Sequence, residues 1–173
     1  MTRRIRYAHL IGFTMMAIGT GCTRGAQPVS NAGDSSLVAT LERGPCRGRC
    51  PQYRVDVYEN GKVLFDGRQN VSSTGAQSGT ASVGRVRELM RAIATSGFAT
   101  VDTAFVYGSA NCGTYYTDLP VMTLSAKVGL RMKRVQRDPG CQGAPGFLRT
   151  LEAQVDSVAG TSRWISGKGD ATR

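Results

Sequence analysis

Residues 53–66 read YRVDVYENGKVLFD and contain the clearest structural pattern of the chain. Apolar and polar side chains alternate at the start of the stretch, which is the period of a half-buried strand. An Asn-Gly pair follows at residues 60–61, and both residue types tolerate positive φ. Such a pair favours a type I′ turn into a third strand over residues 62–66. The stretch therefore predicts a β-hairpin.

The sequence on either side of this hairpin predicts further strands. Residues 37–42 (LVATLE) alternate in the same way, whereas residues 71–81 (VSSTGAQSGTA) are small and polar and predict at best an irregular or edge strand. A second hairpin is predicted in residues 122–137, with its turn at Gly129. The alternation breaks near Arg134, which predicts a β-bulge or a frayed end there.

Two helices are predicted from apolar residues at helical spacing. The first follows a Ser82 cap, and the second runs from Pro145 to about Ala159 with Gly160 as its stop. The predicted inward positions are Val83, Val86, Met90 and Ile93 in the first helix and Leu148, Leu151, Val155 and Val158 in the second. An antiparallel sheet of two hairpins plus flanking strands, with both helices packed on one face, would bury these residues. The predicted fold class is therefore α+β.

Residues 1–21 are predicted to be a signal peptide. A basic stretch precedes an apolar run of about nine residues, which is too short for a membrane span of about 20. Residues 18–22 (IGTGC) resemble the lipobox of bacterial lipoproteins, and this resemblance implies that Cys22 is lipidated. A typical lipobox has leucine where this chain has Gly19, so ordinary cleavage near Cys22 is the alternative.

The remaining chain divides into three predicted parts. Residues 22–36 are rich in Gly, Ser and Ala and predict a flexible tether, residues 37–165 a single domain, and residues 166–173 a disordered tail. The protein would be exported and held to a membrane by its N-terminal lipid, facing the periplasm or the cell surface. Thr23 rather than Asp follows the cysteine, and the resemblance to lipoproteins of two-membrane bacteria then implies the outer membrane in such a host.

Composition limits the chemistry of the predicted domain. His9 is the single histidine and lies in the predicted signal, which excludes Ser/His or Cys/His nucleophiles and His-ligated zinc from the rest. The 22 basic residues less Arg3, Arg4 and Arg6 leave 19, which against 12 acidic residues gives a net charge of +7. Such a surface favours an envelope polyanion or an acidic protein partner, and we expect no specific nucleic acid.

Four cysteines follow Cys22, and in an oxidising envelope an even count predicts two disulfides. These cysteines are Cys46, Cys50, Cys112 and Cys141. If the second hairpin turns at residues 128–129, Cys112 and Cys141 lie close together beyond its open end. Cys46 and Cys50 are then left as the local pair. We expect both bridges to be structural, with no metal and no cofactor.

The sharper alternative is a thiol-disulfide oxidoreductase that uses Cys46 and Cys50. Arg47 and Arg49 lie between these cysteines and would favour a thiolate. However, such enzymes usually have two residues between the cysteines at the start of a helix, whereas here three residues precede a strand. A zinc site built from the four cysteines is disfavoured by the oxidising compartment and by the lack of a second close pair.

Acidic and aromatic residues are weaker candidates. Asp118 could act as a general acid or base with Glu152 or Asp156, but an Asp before a strand commonly binds backbone amides, and a helical Glu usually faces solvent. Three aromatic residues could line a binding surface, although core or rim positions are commoner for them: Tyr115, Tyr116 and Trp164. No catalytic residue is predicted, and the binding residues stay unassigned.

Three segments resemble a known bacterial domain. They are residues 44–67 (GPCRGRCPQYRVDVYENGKVLFDG), residues 117–120 (TDLP) and residues 159–165 (AGTSRWI). In combination they resemble the domain of unknown function DUF6438, over about residues 37–165, and the second cysteine pair lies outside the shared motif. The resemblance implies an envelope lipoprotein context without an activity. The expected function is a lipid-anchored, non-catalytic domain with a binding or structural role.

Overall fold

A computed structural model of the protein describes residues 35–116 and 119–166. The strands are β1 (Leu37–Arg43), β2 (Gln52–Tyr58), β3 (Lys62–Gln69), β4 (Gly75–Thr80), β5 (Ala104–Phe105), β6 (Met122–Val128) and β7 (Arg131–Arg137). The helices are α1 (Val83–Thr95), α2 (Gly146–Ala159) and α3 (Ser162–Ile165). The predicted signal peptide, Cys22, most of the tether, Asp118 and residues 167–173 of the predicted tail lie outside the described residues.

The seven strands form one sheet in the order β4-β3-β2-β1-β6-β7-β5. Neighbouring strands are antiparallel except β5 and β7, which are parallel. The long helices α1 and α2 contact each other, and their apolar stripes join the inward residues of the central strands in one core. The predicted α+β class and the two hairpins are confirmed, and β4 is the predicted edge strand.

The first hairpin forms as predicted, but its predicted turn type is wrong. Gly61 donates its N–H to the carbonyl of Tyr58 at 2.9 Å and has a φ of +86°, whereas Asn60 does not have a positive φ. The connection therefore has three residues, with glycine in the left-handed position, which is the next most common hairpin loop. Asn60 accepts from the N–H of Lys62 at 2.9 Å and so stabilises the turn through its side chain.

The predicted bulge in β7 is also wrong. Pairing with β6 continues without a shift through Arg134 and Val135 to the end of the strand. The alternation appears broken because the buried face of β7 begins only at Val135, while Leu130 and Met132 at the tip are exposed. Lys133 shares the inner face and donates to backbone carbonyls of the segment after α1, so a polar residue is accommodated there.

Helix α1 has the predicted cap but a different inward face. Ser82 accepts from the N–H of Arg85 at 3.2 Å, which satisfies one of the free donors of the first turn. The buried positions are Val86, Leu89 and Ile93, and the predicted Val83 and Met90 are exposed. The helix is thus rotated so that Leu89, rather than Met90, packs on the sheet.

Helix α2 crosses the inner face of the sheet and has the four predicted inward residues buried. Gly160 adopts a φ of +64° and ends the helix, as predicted. The short helix α3, which the sequence analysis did not predict, follows it and stacks Trp164 on Phe65 at 4.9 Å between ring centroids. Within the described part of the chain, no helix has the length and apolar character needed to cross a membrane.

Candidate functional site

Four connections leave the same end of the sheet. The strand register aligns Arg43 with Met122 and Met122 with Arg137, so the ends of β1 and β7 lie beside the start of β6. We call the connections at this end the loop rim: residues 44–51, 70–74, 106–121 and 138–145, of which residues 117–118 are not described. The chain enters β1 at Leu37, which lies at the other end, about 20 Å away for a seven-residue strand.

The first disulfide closes a small, exposed part of the loop rim, residues 46–50, which we call the basic ring. Cys46 and Cys50 are bonded with their Cα atoms 5.9 Å apart. Arg47 and Arg49 between them are exposed. Asn70 donates its side-chain N–H to the carbonyl of Cys50 at 3.0 Å and so ties the ring to the β3–β4 connection.

The second disulfide braces residues 106–116, which we call the tyrosine loop. Cys112 and Cys141 are bonded, with their Cα atoms 4.5 Å apart, and both are buried. Three backbone hydrogen bonds flank this bridge: Tyr116 N–H to Gly140 O at 3.0 Å, Gln142 N–H to Thr114 O at 3.0 Å, and Gly143 N–H to Cys112 O at 2.8 Å. The structure thus brings together the two predicted cysteine pairs.

Two arginine–carboxylate pairs lie beneath the loop rim, between the sheet and α2. Arg43 at the end of β1 binds Asp156 at 2.5 Å, and Arg137 at the end of β7 binds Glu152 at 2.5 Å. The sulfur of Met122 lies between them and accepts from both guanidinium groups, at 3.2 and 3.3 Å. The two carboxylates are four residues apart on α2 and therefore share one helix face.

Tyr53 completes the first of these pairs. Its hydroxyl donates to Oδ1 of Asp156 at 2.6 Å and accepts from Nε of Arg43 at 2.7 Å. Burial, followed by the negative charge of Asp156, raises the pKa of Tyr53 above its ordinary value. Burial lowers the pKa of Arg43, but the attraction of Asp156 outweighs it, so that pKa also lies above its ordinary value. The phenol therefore stays protonated and the guanidinium charged.

Residues 38–159 match the family described as a domain of unknown function, DUF6438. This chain belongs to the DUF6438 family. The matched residues run from β1 to the end of α2, so both disulfides and the whole loop rim lie within the DUF6438 domain, whereas α3 follows it. No curated protein matches the chain.

The acidic residues of the DUF6438 domain do not have the predicted surroundings. Glu152 was predicted to face solvent, and this is wrong, because it is 2 % exposed and its carboxylate is held by Arg137. Glu152 lies four residues after the inward Leu148, so its spacing was a signal for burial. Asp118, its predicted partner in acid–base chemistry, lies outside the described residues. The arginine contacts of Glu152 and Asp156 stabilise the contact between α2 and the sheet.

The aromatic candidates separate into core and surface. Trp164 is buried under Arg163, whose guanidinium lies 4.2 Å from the ring centroid, so it belongs to the core. Tyr116 is exposed, and Tyr115 is half-buried and donates to Asp138 at 3.1 Å. The sequence analysis missed Tyr107, which is 75 % exposed and packs on Tyr115 with ring centroids 4.8 Å apart.

Among the open clefts on the described surface of the DUF6438 domain, one lies beside α1 and one at the loop rim. One of about 140 Å³ lies between α1 and α2, and the side-chain oxygen of Gln154 beside it is buried without a partner. The other, of about 200 Å³, lies at the loop rim between Arg137, Gln142 and Arg149. Across the residues described, no group of three or more His, Cys, Asp or Glu side chains could hold a metal ion.

Proposed function

We propose that this chain is an exported, lipid-anchored envelope protein whose DUF6438 domain is a non-catalytic binding module for a phosphate-rich polyanion. The basic ring carries the proposal, because it presents Arg47 and Arg49, both exposed, within five residues closed by a disulfide. Cys22 is the proposed site of the lipid anchor. The proposed partner lies in the envelope.

The disulfides support the export part of the proposal. Disulfides persist in oxidising compartments outside the cytoplasm and are rare inside it. Both cysteine pairs lie at bonding distance in the DUF6438 domain. The basic and apolar pattern of residues 1–21 and the cysteine at the end of IGTGC agree with the same route.

The geometry of the basic ring supports an anionic partner. Arginine binds phosphate through two parallel N–H groups, and such charge-assisted hydrogen bonds are about twice as strong as neutral ones. Because the disulfide restricts the ring, binding fixes fewer backbone torsions than it would in an open loop. The ring also lies at the end of the sheet opposite Leu37, where β1 begins.

The alternative is thiol-disulfide exchange at Cys46 and Cys50. In such enzymes a helix N-terminus stabilises the thiolate, whereas the ring of this chain is followed by β2. An insulin-reduction assay on the full chain separates the two functions. We expect no turnover above that of free dithiol, and robust turnover that disappears in Cys46→Ser would replace the binding proposal by the enzymatic one.

The anchor is tested in the native host with a labelled fatty acid. We expect label in the wild-type chain and none in Cys22→Ser, with the variant moving to the soluble fraction. Thr23→Ser is the matched control and keeps both the label and the membrane fraction. Membrane association of Cys22→Ser equal to that of the wild type would contradict lipidation.

The basic ring is tested by calorimetry on the full chain with soluble polyphosphate, and in parallel by sedimentation with phosphatidylglycerol vesicles. We expect Arg47→Ala with Arg49→Ala to weaken binding about tenfold or more, since one charge-assisted hydrogen bond contributes about 1.5 kcal/mol. The matched control is Arg87→Ala with Arg91→Ala on α1, which removes the same charge from exposed positions. Equal losses in the two double variants would show that only net charge matters and would overturn the site.

A further inference from the structure

The cleft at the loop rim lies at the start of α2. It has a volume of about 200 Å³ and is lined by the end of β7, the first turn of α2 and the connection between them. Arg137, Gln142 and Arg149 are among its lining residues, and none of the described residues that line it is acidic. Residues 139–151 also contain no Asp or Glu. The lining therefore combines hydrogen-bond donors and cations without a carboxylate.

The first turn of α2 has free backbone donors beside this cleft. Pro145 is at the N-cap and provides no side-chain acceptor, and no acidic residue lies in the first turn. The N–H groups of Gly146 and Phe147 have no acceptor among the described residues, whereas that of Leu148 donates to the carbonyl of Pro145 at 3.1 Å. Free N–H groups and the helix dipole favour an anion there. Uncapped helix ends are common, however, so the surrounding side chains must supply the specificity.

Arg137 has a donor that the core does not use. Its side chain is 9 % exposed. Its Nε and Nη2 atoms hold the carboxylate of Glu152, and Nη2 also donates to the sulfur of Met122. Nη1 has no hydrogen-bond partner in the described part of the chain and is not closed off from solvent. Because Arg137 lines the cleft, this buried guanidinium leaves one nitrogen for a ligand of the cleft.

Arg149 supplies the positive charge of the cleft. It is exposed on α2, and it has no hydrogen bond or ion pair with any residue that the structure describes. Its charge is therefore not neutralised, unlike that of Arg137, which Glu152 balances. A Cβ atom added at Gly146 would meet no atom within 4 Å, so the space beside the free N–H groups is open. An unpaired cation, free donors and open space together favour a small anion.

From these contacts we infer that the cleft binds a single phosphate group. Donors reach it from three parts of the chain: Nη1 of Arg137 at the end of β7, the side-chain amide of Gln142, and Arg149 with the free N–H groups of α2. A phosphate group has three acceptor oxygens for these directions, whereas a carboxylate has two. Arginine and helix N-termini are both common phosphate ligands. The inference goes beyond the polyanion proposal, because it needs neither the basic ring nor the anchor.

The test follows the backbone amide signals of Gly146 and Phe147 by nuclear magnetic resonance on the isotope-labelled full chain in a polyoxyethylene detergent. The probes are inorganic phosphate and glycerol phosphate, each added at an ionic strength kept constant with sodium chloride. We expect both signals to move and to saturate, with a dissociation constant of about 1 mM or below. Tighter binding of glycerol phosphate would identify a phosphate ester, such as a lipid head group, as the source. Equal or tighter binding of inorganic phosphate would identify the free ion.

Gly146→Asp distinguishes lost binding from lost folding. The new carboxylate lies in the first turn of α2, where it competes with phosphate for the free N–H groups and stabilises the helix. We expect the dissociation constant to rise about tenfold or more, while the midpoint of thermal unfolding stays equal or rises. Gly84→Asp is the matched control, because it adds the same charge at an exposed position in the first turn of α1. This control leaves phosphate binding unchanged.

Arg149→Ala tests the cation of the cleft. We expect it to weaken phosphate binding about tenfold, since a charge-assisted hydrogen bond is lost. Arg91→Ala removes the same charge from an exposed position on α1 and leaves phosphate binding unchanged. Arg47→Ala with Arg49→Ala also leaves it unchanged, so failure of this inference and failure of the polyanion proposal are separate results.

Three results would overturn the inference. The first is the absence of any movement of the two amide signals with both probes at about 10 mM. The second is equal weakening by Gly146→Asp and Gly84→Asp, which would show that only net charge matters. The third is loss of phosphate binding in Arg47→Ala with Arg49→Ala while Arg149→Ala retains it, because the phosphate would then lie at the basic ring.

Discussion

The basic ring and the tyrosine loop leave the same end of the sheet, and each contains a disulfide, but the two bridges have different surroundings. In the ring the bonded cysteines are four positions apart, and the segment between them is an exposed tip that carries two arginines. The bridge of the tyrosine loop joins cysteines 29 positions apart, and both are buried in the core. The first bridge fixes a short exposed segment that carries Arg47 and Arg49. The second bridge holds in place a long connection that has few hydrogen bonds of regular secondary structure.

The two arginine–carboxylate pairs beneath the loop rim also differ in how exposed they are. The Arg43–Asp156 pair, at the end of β1 that leads to the ring, has side chains 23 % and 18 % exposed, while Arg137 and Glu152, at the end of β7 that leads to Cys141, are 9 % and 3 % exposed. A buried pair loses more when one partner is removed, because the other charge is left without water. Substitutions in the Arg137–Glu152 pair are therefore expected to destabilise the fold more than substitutions in the Arg43–Asp156 pair.

The largest effect is expected from Glu152→Leu, which leaves Arg137 charged and buried. We expect the free energy of unfolding in urea to fall by about 3–5 kcal/mol. Asp156→Leu on the more exposed pair should cost less. Adding Arg137→Met to Glu152→Leu should recover most of the loss, since the pair is then replaced by apolar side chains. Equal losses of unfolding free energy in Glu152→Leu and Asp156→Leu would contradict the expected difference between the buried and the more exposed pair.

The second largest effect compares the bridges themselves. Cys112→Ala with Cys141→Ala should lower the free energy of unfolding by roughly 1–2 kcal/mol more than Cys46→Ala with Cys50→Ala, since the longer loop removes more entropy from the unfolded chain. Both double variants are measured by urea unfolding beside the wild type. A larger loss from the ring would mean that its bridge stabilises the native fold directly.

The third effect is a pH dependence specific to the ring side. Folding raises the pKa of Tyr53 above its ordinary value, so above about pH 10 the unfolded chain releases a proton that the folded chain keeps. The contribution of Tyr53 is therefore complete below pH 10 and lost as the pH rises, with a slope of up to about 1.4 kcal/mol per pH unit. Tyr53→Phe should remove this part of the slope when urea unfolding is measured as a function of pH.

The smallest effect is expected at the tip of the ring. Arg47→Ala with Arg49→Ala should change the free energy of unfolding by less than about 0.5 kcal/mol, as is usual for exposed positions. The same variant is the one expected to lose polyanion binding. A loss of stability above about 1 kcal/mol would show that the two arginines stabilise the fold. Polyanion binding would then have to be measured again with a variant that keeps the stability of the ring.

Much of the fold follows from local patterns in the sequence. Alternation in β2 and β3 and helical spacing in α2 were sufficient, because one face of each of these elements is buried and the other is more exposed. The cysteine pairing followed from one further step, the position of the second hairpin turn. Two predictions were wrong where local rules allow more than one structure. An Asn-Gly pair is compatible with more than one type of turn. The apolar Leu130 at the hairpin tip has the residue type of a core position, although it is exposed.

The candidate sites were much less accessible to sequence reasoning. Glu152 is buried because Arg137, on a strand 15 residues earlier, meets it across the core, and no local pattern gives that contact. Tyr107 packs on Tyr115, eight residues later, through the fold of a connection without periodicity. Arg47 and Arg49 were found because the cysteines around them marked the segment.

The separations of 4 and 29 residues also set an order of oxidation. In a chain that enters an oxidising compartment amino terminus first, Cys46 and Cys50 arrive almost together, and their thiols meet before the later cysteines emerge. Closing so short a loop takes well under a microsecond, far faster than residues are added or moved. The proposed lipidation of Cys22 would remove the fifth thiol from the competition. If the first bridge has formed by the time Cys141 arrives, Cys112 is the free partner left within the domain, and the native pairing forms without reshuffling.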